Sequence, residues 1–137
     1  MTHTVGDILK DPVGDNHSFD GIISWSVILH IENKQLLFQK CADLLPATGG
    51  GKLFSDDFYM MSPFTKEEEA SLEKHVFAFK LPTKEEYIQV LETVGFTDVV
   101  FEDRTQECKS FVNDRLNKFI ASRERFVHVN SPLSLHA

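Results

Sequence analysis

Apolar residues along the chain follow two alternating patterns, one typical of buried strands and one typical of amphipathic helices. The strongest strand pattern is FDGIISWSVILH at residues 19–30, an apolar run interrupted by small or polar residues and ended by a histidine. Its first part, residues 19–25, lacks strict alternation, which predicts a strand covered on both faces, as in a parallel sheet. Shorter runs predict strands at residues 52–55 and 97–102, and the start of the chain allows a strand end at Val5 before a turn at residues 6–7.

Four segments predict helices; the second is polar, and the other three repeat apolar residues at the three- and four-residue spacing of one helix face. They cover residues 32–45, 65–74, 83–94 and 107–127. The second and third begin with the same letters, TKEE, which is the Thr-x-x-Glu pattern of an N-terminal capping box. Pro46 ends the first helix, and Gly95 follows the third as a C-terminal cap.

The alternation of strand and helix, with one extra helix, predicts an α/β fold: a mostly parallel sheet with flanking helices. A length of 137 residues predicts a single domain. We expect an ordered core over residues 1–128 and a frayed tail over residues 129–137.

Composition narrows the possible functions. The net charge of −7 argues against a nucleic-acid surface, which needs clustered Lys and Arg. No apolar run reaches the ~20 residues of a membrane span, and the first residues lack the pattern of a signal peptide. Cys41 and Cys108 form no CxxC pair and the six histidines show no HExxH spacing, so no metal site is predicted. The expected location is the cytoplasm.

Polar residues follow the predicted strands where ligands bind in open α/β sheets, beyond the carboxyl ends of the strands. They are Asp7 after the first segment, residues 24–30 after the second and residues 56–59 after the third. Each has an ordinary alternative: an Asp after a strand is often a turn or capping residue. His30, just before a helix, is equally typical of a capping or core histidine.

Four stretches, with the helix that follows the last of them, carry a resemblance to a known family: GDILK, SFDGIISWSVILHIENKQLLFQKCADLL, GGGKLFSDDF and TKEEYIQVLETVGFTDVVFEDRTQE. They resemble the later part of the S-adenosylmethionine-dependent methyltransferases, best the phosphoethanolamine N-methyltransferases and second the sarcosine/dimethylglycine methyltransferases. The resemblance covers most of residues 5–127. It implies a partial class I methyltransferase sheet, which is Rossmann-like, and S-adenosylmethionine as the cofactor.

The resemblance also implies roles for individual residues. Asp7 and Ile8 match the residues that hold the adenine of the cofactor, with Asp7 accepting from the exocyclic amine. Ser24 and Trp25 match the strand end beside the cofactor. His30 matches the histidine that closes the active site and helps to deprotonate the amine substrate, a task suited to an imidazole near neutral pH.

The family's glycine-rich cofactor turn is missing from the sequence. No GxGxG follows a strand, and the three glycines at residues 49–51 follow a helix and precede a strand, which is the wrong order. We therefore expect the N-terminal, cofactor-binding half of the domain to lie outside this chain. The chain alone should bind S-adenosylmethionine weakly or not at all.

The expected substrate-binding positions are Asp57, Phe58, Tyr59, Phe77 and Phe79. At these positions the family carries a tyrosine after the aspartate and an Arg-x-Tyr motif, groups suited to phosphate. Here phenylalanines replace them, which argues against phosphoethanolamine itself as the substrate. Phe77 and Phe79 either form a cation–π pocket for a methylated amine or are ordinary core aromatics.

The favoured hypothesis is an S-adenosylmethionine-dependent N-methyltransferase of a small amine, phosphoethanolamine-like or glycine-derived, incomplete in this chain. One alternative is a non-catalytic, methyltransferase-like interaction module that pairs as a homodimer or through an exposed sheet edge. Another is a truncated gene product without a function of its own.

Overall fold

The computed structural model describes residues 3–123 and residue 125. Its elements in chain order are β1 (Gly21–Trp25), a 3-10 turn (Ile28–His30), α1 (Lys34–Leu44), β2 (Lys52–Asp56), α2 (Lys66–Val76), α3 (Lys84–Thr93) and α4 (Thr105–Ala121). The predicted alternation of strand and helix is confirmed from β1 to α2, and α3 is the one extra helix expected. The chain divides into two compact units, Met1–Phe101 and Glu102–Ala137, and the second contains α4.

The sheet of the first unit consists of β1 and β2, which pair in parallel from Gly21 opposite Lys52 to Trp25 opposite Asp56. Parallel pairing was expected, because a helical crossover joins the two strands. Alternate residues of β1 are half-buried, and the residues between them are exposed, whereas in β2 the half-buried residues are Leu53 and Asp56. Within the described residues only one face of β1 is therefore covered, where the sequence predicted two.

The core of the first unit lies between the sheet, α1 and α3. Its buried members are Ile28, Leu37, Phe38, Cys41 and Tyr87, and partly buried residues of both strands pack around them. The rings of Phe38 and Tyr87 meet edge to face, with centroids 6.2 Å apart. Three of these five residues come from α1, so this helix is the main apolar support beneath the strand ends.

Local capping signals place the helices within two or three residues of their predicted starts. The Thr65 and Thr83 hydroxyls each accept the N–H of the glutamate three residues on, and that glutamate accepts the N–H of the threonine. Both predicted capping boxes are thus confirmed. Gly95 has a φ of 103°, as expected of a residue that ends a helix in the left-handed region.

The predicted strand at residues 97–102 is wrong. The structure assigns no strand there, Asp98 has a φ of 54°, and Val100 is 91% exposed. The strand end expected at Val5 is wrong as well, although the following turn is present, because Asp7 O accepts the N–H groups of Lys10 and Asp11. A strand exists only where a neighbour pairs with it, and the β1–β2 sheet reaches neither segment within the described residues.

In the second unit, α4 begins two residues before its predicted start. The Asp103 carboxylate, two residues before the helix, accepts the backbone N–H of Thr105 at 2.9 Å and so satisfies one of the free N–H groups of the first turn. The predicted end at residue 127, and the expected tail over residues 129–137, lie outside the described residues. Within the described part of the chain, every helix is too short or too polar to span a lipid bilayer.

Candidate functional site

The ends of β1 and β2 are joined by the carboxylate of Asp57. One oxygen accepts the N–H of Ile28 at 2.7 Å, and the other accepts the N–H groups of Leu29 at 3.2 Å and Phe58 at 2.8 Å. The amides of Ile28 and Leu29 begin the 3-10 turn after β1, so Asp57 fixes that turn to the end of the neighbouring strand. The geometry therefore gives Asp57 a structural role, while its assignment to a substrate stays a prediction.

A sharp change of direction after β1 places His30. Ser26 adopts a left-handed φ of 50°, and its N–H donates to Asp56 O at 2.8 Å. The 3-10 turn that follows buries Ile28 and Leu29 and leaves His30 exposed at the carboxyl end of the sheet. The sequence predicted a polar group at this position, and the structure places His30 there.

The imidazole of His30 has a defined tautomer when it is neutral. Its Nδ1 lies 2.9 Å from the carbonyl oxygen of Phe77. A carbonyl oxygen can only accept a hydrogen bond, so Nδ1 carries the proton and donates it. Nε2 of the neutral ring then holds a lone pair, which gives His30 the form that a general base requires.

The segment at residues 77–80 runs alongside the 3-10 turn. Phe77 and Lys80 both adopt left-handed φ values, 56° and 45°, and the N–H of Phe79 donates to Leu29 O at 2.9 Å. Phe77 is 63% exposed, so the interpretation of its ring as a core aromatic does not hold. Phe79 is half-buried. The structure therefore brings His30 together with the backbone of the predicted substrate segment.

Lys34, at the start of α1, is a buried cation that sequence reasoning missed. It is 7% exposed, and its Nζ donates to Ile31 O and to Phe79 O, both at 2.8 Å. Burial lowers the pKa of Lys34, and the negative charges of Asp57 and Glu32 oppose that shift. One signal was available: a lysine in the first helical turn is unfavourable beside the helix dipole and therefore calls for a specific partner.

Phe58 and Tyr59 lie beyond the end of β2. The Phe58 ring is exposed, and its carbonyl accepts from the hydroxyl of Tyr87 at 3.3 Å. Tyr59 is half-buried and meets Phe101 edge to face, with centroids 5.0 Å apart. Both residues stand at the strand end where the sequence placed them, and their contact with a substrate stays a prediction.

The residues assigned to the cofactor do not form an enclosed pocket in the described structure. The Asp7 carboxylate pairs with Lys10 at 2.8 Å and accepts the N–H of Leu9, and the hydrogen bond from Lys10 lowers the pKa of Asp7. Trp25 is 70% exposed. Clefts of about 350 Å³ beside Leu9 and about 470 Å³ beside Lys34 are lined by other residues. The four assigned residues, Asp7, Ile8, Ser24 and Trp25, thus do not fit a firmly held cofactor on their own.

Comparison with known proteins shows a consistent similarity in sequence. The chain is 35% identical over 123 residues to phosphoethanolamine N-methyltransferase 1 of Arabidopsis thaliana, and 35% identical over 112 residues to that of Zea mays. It is 31% identical over 126 residues to phosphoethanolamine N-methyltransferase of Plasmodium falciparum. These alignments cover 90%, 82% and 90% of the chain but 24%, 22% and 43% of the relatives. No family model matches the sequence.

Solved structures show the same similarity in fold. Phosphoethanolamine N-methyltransferase 2 of Haemonchus contortus, in complex with phosphomonomethylethanolamine and S-adenosylhomocysteine, superposes with a TM-score of 0.81 at 20% identity. The same enzyme in complex with S-adenosyl-L-methionine gives 0.80 at 19% identity. The superpositions cover 92% and 94% of this chain and 29% of each solved chain. The predicted resemblance and fold class are confirmed: over most of its length, this chain resembles part of the phosphoethanolamine N-methyltransferases and has the class I methyltransferase fold of that part.

Proposed function

We propose that this chain supplies the proton-accepting side of an S-adenosylmethionine-dependent N-methyltransferase that acts on a small amine, phosphoethanolamine-like or glycine-derived. The observation that carries the proposal is the hydrogen bond from His30 Nδ1 to Phe77 O. In the neutral ring it leaves Nε2 with the free lone pair, on an exposed residue at the carboxyl end of a methyltransferase-like sheet, where ligands of α/β sheets bind.

The chemistry of N-methylation requires such a group. The cofactor supplies an electrophilic methyl group, and an amine attacks it only through a free lone pair. At neutral pH a small aliphatic amine is protonated, so a base must take one proton from its nitrogen. His30 Nε2 accepts that proton, and Nδ1 keeps its own proton on the Phe77 carbonyl throughout.

The cofactor of the proposed enzyme is S-adenosylmethionine, which is bound jointly by this chain and by further polypeptide, in cis or in trans. Two observations support joint binding: the sequence has no GxGxG after a strand, and Asp7 and Trp25 are exposed. The chain spans about a quarter of the length of the plant relatives it matches, so the activity of the whole enzyme is a proposal for this chain.

Of the two classes of amine, phosphoethanolamine-like and glycine-derived, we propose the class without a phosphate group as the substrate. The Arg-x-Tyr phosphate motif of the family corresponds here to residues 77–79, FAF. The neighbouring cation Lys80 forms an ion pair with Glu32 at 2.5 Å, so its charge is already engaged. The exposed ring of Phe77 offers an apolar, cation-binding surface that suits a glycine-derived or methylated amine better than a phosphomonoester.

Complementation tests this function. The full chain is mixed with the part of the Plasmodium falciparum relative that lies outside the aligned region, and S-adenosylhomocysteine formation is measured with glycine, sarcosine, dimethylglycine, ethanolamine and phosphoethanolamine. We expect turnover with at least one phosphate-free amine and none with phosphoethanolamine. Turnover with no amine refutes the function, and turnover with phosphoethanolamine at a comparable rate refutes the proposed substrate.

The second candidate function is that of an interaction module, and the exposed face and unpaired edge of the sheet support it. Ile23, Trp25 and Phe54 lie exposed on the uncovered face, with Ile23 directly opposite Phe54. The outer edge of β1 is unpaired within the described residues, which invites strand addition. We propose that this face and edge pair with further polypeptide that completes a methyltransferase sheet. The superposed solved structures support this, because they are more than three times as long as the part this chain matches.

Analytical ultracentrifugation distinguishes pairing with such polypeptide from pairing with a second copy of this chain. A monomer that gains mass only with the complementing fragment supports sheet completion. A homodimer that Ile23→Lys disrupts supports self-pairing instead.

We also propose a cytoplasmic location, in keeping with the free thiols of Cys41 and Cys108. A fluorescent fusion that enters the secretory pathway would contradict this location.

A further inference from the structure

We propose that Lys34 is the positioning residue that holds the carbonyl of Phe77 against His30 and thereby keeps Nε2 of His30 as the free nitrogen. The catalytic importance of this arrangement rests on the function proposed above. The geometric part, a lysine that sets the tautomer of a histidine, stands on the structure of the first unit alone.

The argument starts from the two carbonyls that Lys34 joins. Its Nζ donates to Ile31 O, next to His30, and to Phe79 O, in the segment that carries Phe77. One ammonium group thus links the turn after β1 to the segment after α2. An ammonium group has three donors and no acceptor, which suits a site formed by carbonyl oxygens.

The link constrains Phe77 because Phe79 is held at both of its backbone groups. The carbonyl of Phe79 accepts from Lys34, and its N–H donates to Leu29 O at 2.9 Å. Ala78 between the two phenylalanines is buried, so the segment has little room to shift. Phe77 O is therefore fixed relative to the turn that carries His30, and the 2.9 Å contact to Nδ1 follows.

Burial distinguishes Lys34 from the other lysine that spans these segments. Lys80 also links them, through its ion pair with Glu32, but both of those side chains are largely exposed. Exposed ion pairs contribute little to fixing a conformation. A buried, doubly hydrogen-bonded cation is different, since removing it leaves two carbonyls without their donor. Lys80 thus provides a matched control on the same segment.

The ¹⁵N NMR spectrum of the histidine rings reports the tautomer of His30 directly, so the test needs neither cofactor nor turnover. The full chain is labelled with ¹⁵N in its histidine rings, and the His30 signals are assigned by comparison with His30→Gln. Spectra are recorded well above the ordinary imidazole pKa of about 6.5. We expect the Nδ1–H form to dominate in the wild type and in Lys80→Met. In Lys34→Met the ratio of the Nδ1–H to the Nε2–H form should fall about fivefold, the effect of one net hydrogen bond.

An unchanged ratio in Lys34→Met overturns the proposal. If that variant does not fold, Lys34→Gln is measured instead, because its shorter side chain cannot span both carbonyls. We expect the ratio of the Nδ1–H to the Nε2–H form to fall in this variant too, by a smaller factor. An unchanged ratio in Lys34→Gln overturns the proposal. Lys34→Arg, which keeps the charge and the donors, should restore part of the ratio. Absence of methyl transfer in the complementation assay would refute the proposed function and leave this result intact.

Discussion

His30 is the residue on which the proposed chemistry depends. Its replacement by alanine should lower methyl transfer in the complemented enzyme by about 10²- to 10⁴-fold, the usual contribution of a positioned base. The effect should fall on kcat, because the base acts after the amine has bound. Turnover of S-adenosylmethionine is the measurement, and the exposed His75, in the last turn of α2, provides the control variant His75→Ala. Unchanged turnover in His30→Ala would remove His30 from the mechanism.

Asp57 should matter for stability at least as much as for any ligand. Its carboxylate accepts three backbone N–H groups, so Asp57→Ala should lower the free energy of unfolding by about 2–4 kcal/mol. Urea denaturation measures the loss. The neighbouring Asp56→Ala serves as a control, since only the backbone carbonyl of Asp56 bonds to Ser26 and the substitution keeps it. Equal losses in the two variants would refute the role assigned to the Asp57 side chain.

Tyr87 makes the stability of the chain sensitive to alkaline pH. Burial, and next the charge of Asp57, raise the pKa of its phenol far above 10.0. Above pH 10 the unfolded chain therefore releases a proton that the folded chain retains, and stability should fall by about 1.4 kcal/mol per pH unit. In Tyr87→Phe this part of the slope should disappear.

Denaturation at several pH values between 9 and 11 measures that slope. At neutral pH the same substitution should cost only about 0.5–1.5 kcal/mol, because the hydroxyl makes one long hydrogen bond, to Phe58 O. Equal slopes in the wild type and Tyr87→Phe would contradict the assignment.

At the residue scale, features that depend on nearby residues in the sequence could be predicted, and features that depend on distant residues could not. His30 could be singled out because a histidine directly after a strand already lies where α/β sheets bind ligands. The partners of His30 and Lys34 could not be predicted, since Phe77 and Phe79 are more than 40 positions away in the sequence. The structural role of Asp57 was hidden for the same reason: two of its three donors lie 28 and 29 positions earlier.

Among the elements, helices were predictable and marginal strands were not. Helix caps involve residues three positions apart, so the letters TKEE at residues 65–68 and 83–86 carry the information themselves. A strand depends on a neighbour that can lie anywhere in the chain. Residues 19–25 and 52–55 were predicted well because they pair with each other, whereas residues 97–102 have similar letters and no strand.

The two capping boxes should differ in their importance for the fold. Thr83 begins α3, which places Tyr87 in the core, and Thr65 begins α2, which has no buried residue. Thr83→Ala should therefore lower the global free energy of unfolding by about 1 kcal/mol. Thr65→Ala should fray α2, with little global effect. Urea denaturation and amide hydrogen exchange of the two variants measure this difference, and equal global losses would contradict it.

On the scale of the whole molecule, the described sheet has one covered face and one exposed face. Its inner face rests on α1 and the core, while Ile23, Trp25 and Phe54 lie exposed on the other face. The residues that the resemblance assigns to the cofactor likewise enclose no cavity within the described structure. The sequence could not show that β1 would be covered on one face only within the described residues.

We propose that this chain carries the proton-accepting side of a methyltransferase and needs further polypeptide to hold the cofactor. Calorimetric titration of S-adenosylmethionine into the chain, alone and with the complementing fragment of the Plasmodium falciparum relative, tests it most directly. The fragment alone is titrated as the control. We predict no saturable binding to the chain alone and binding to the mixture that exceeds binding to the fragment. Micromolar affinity of the chain alone would contradict the claim.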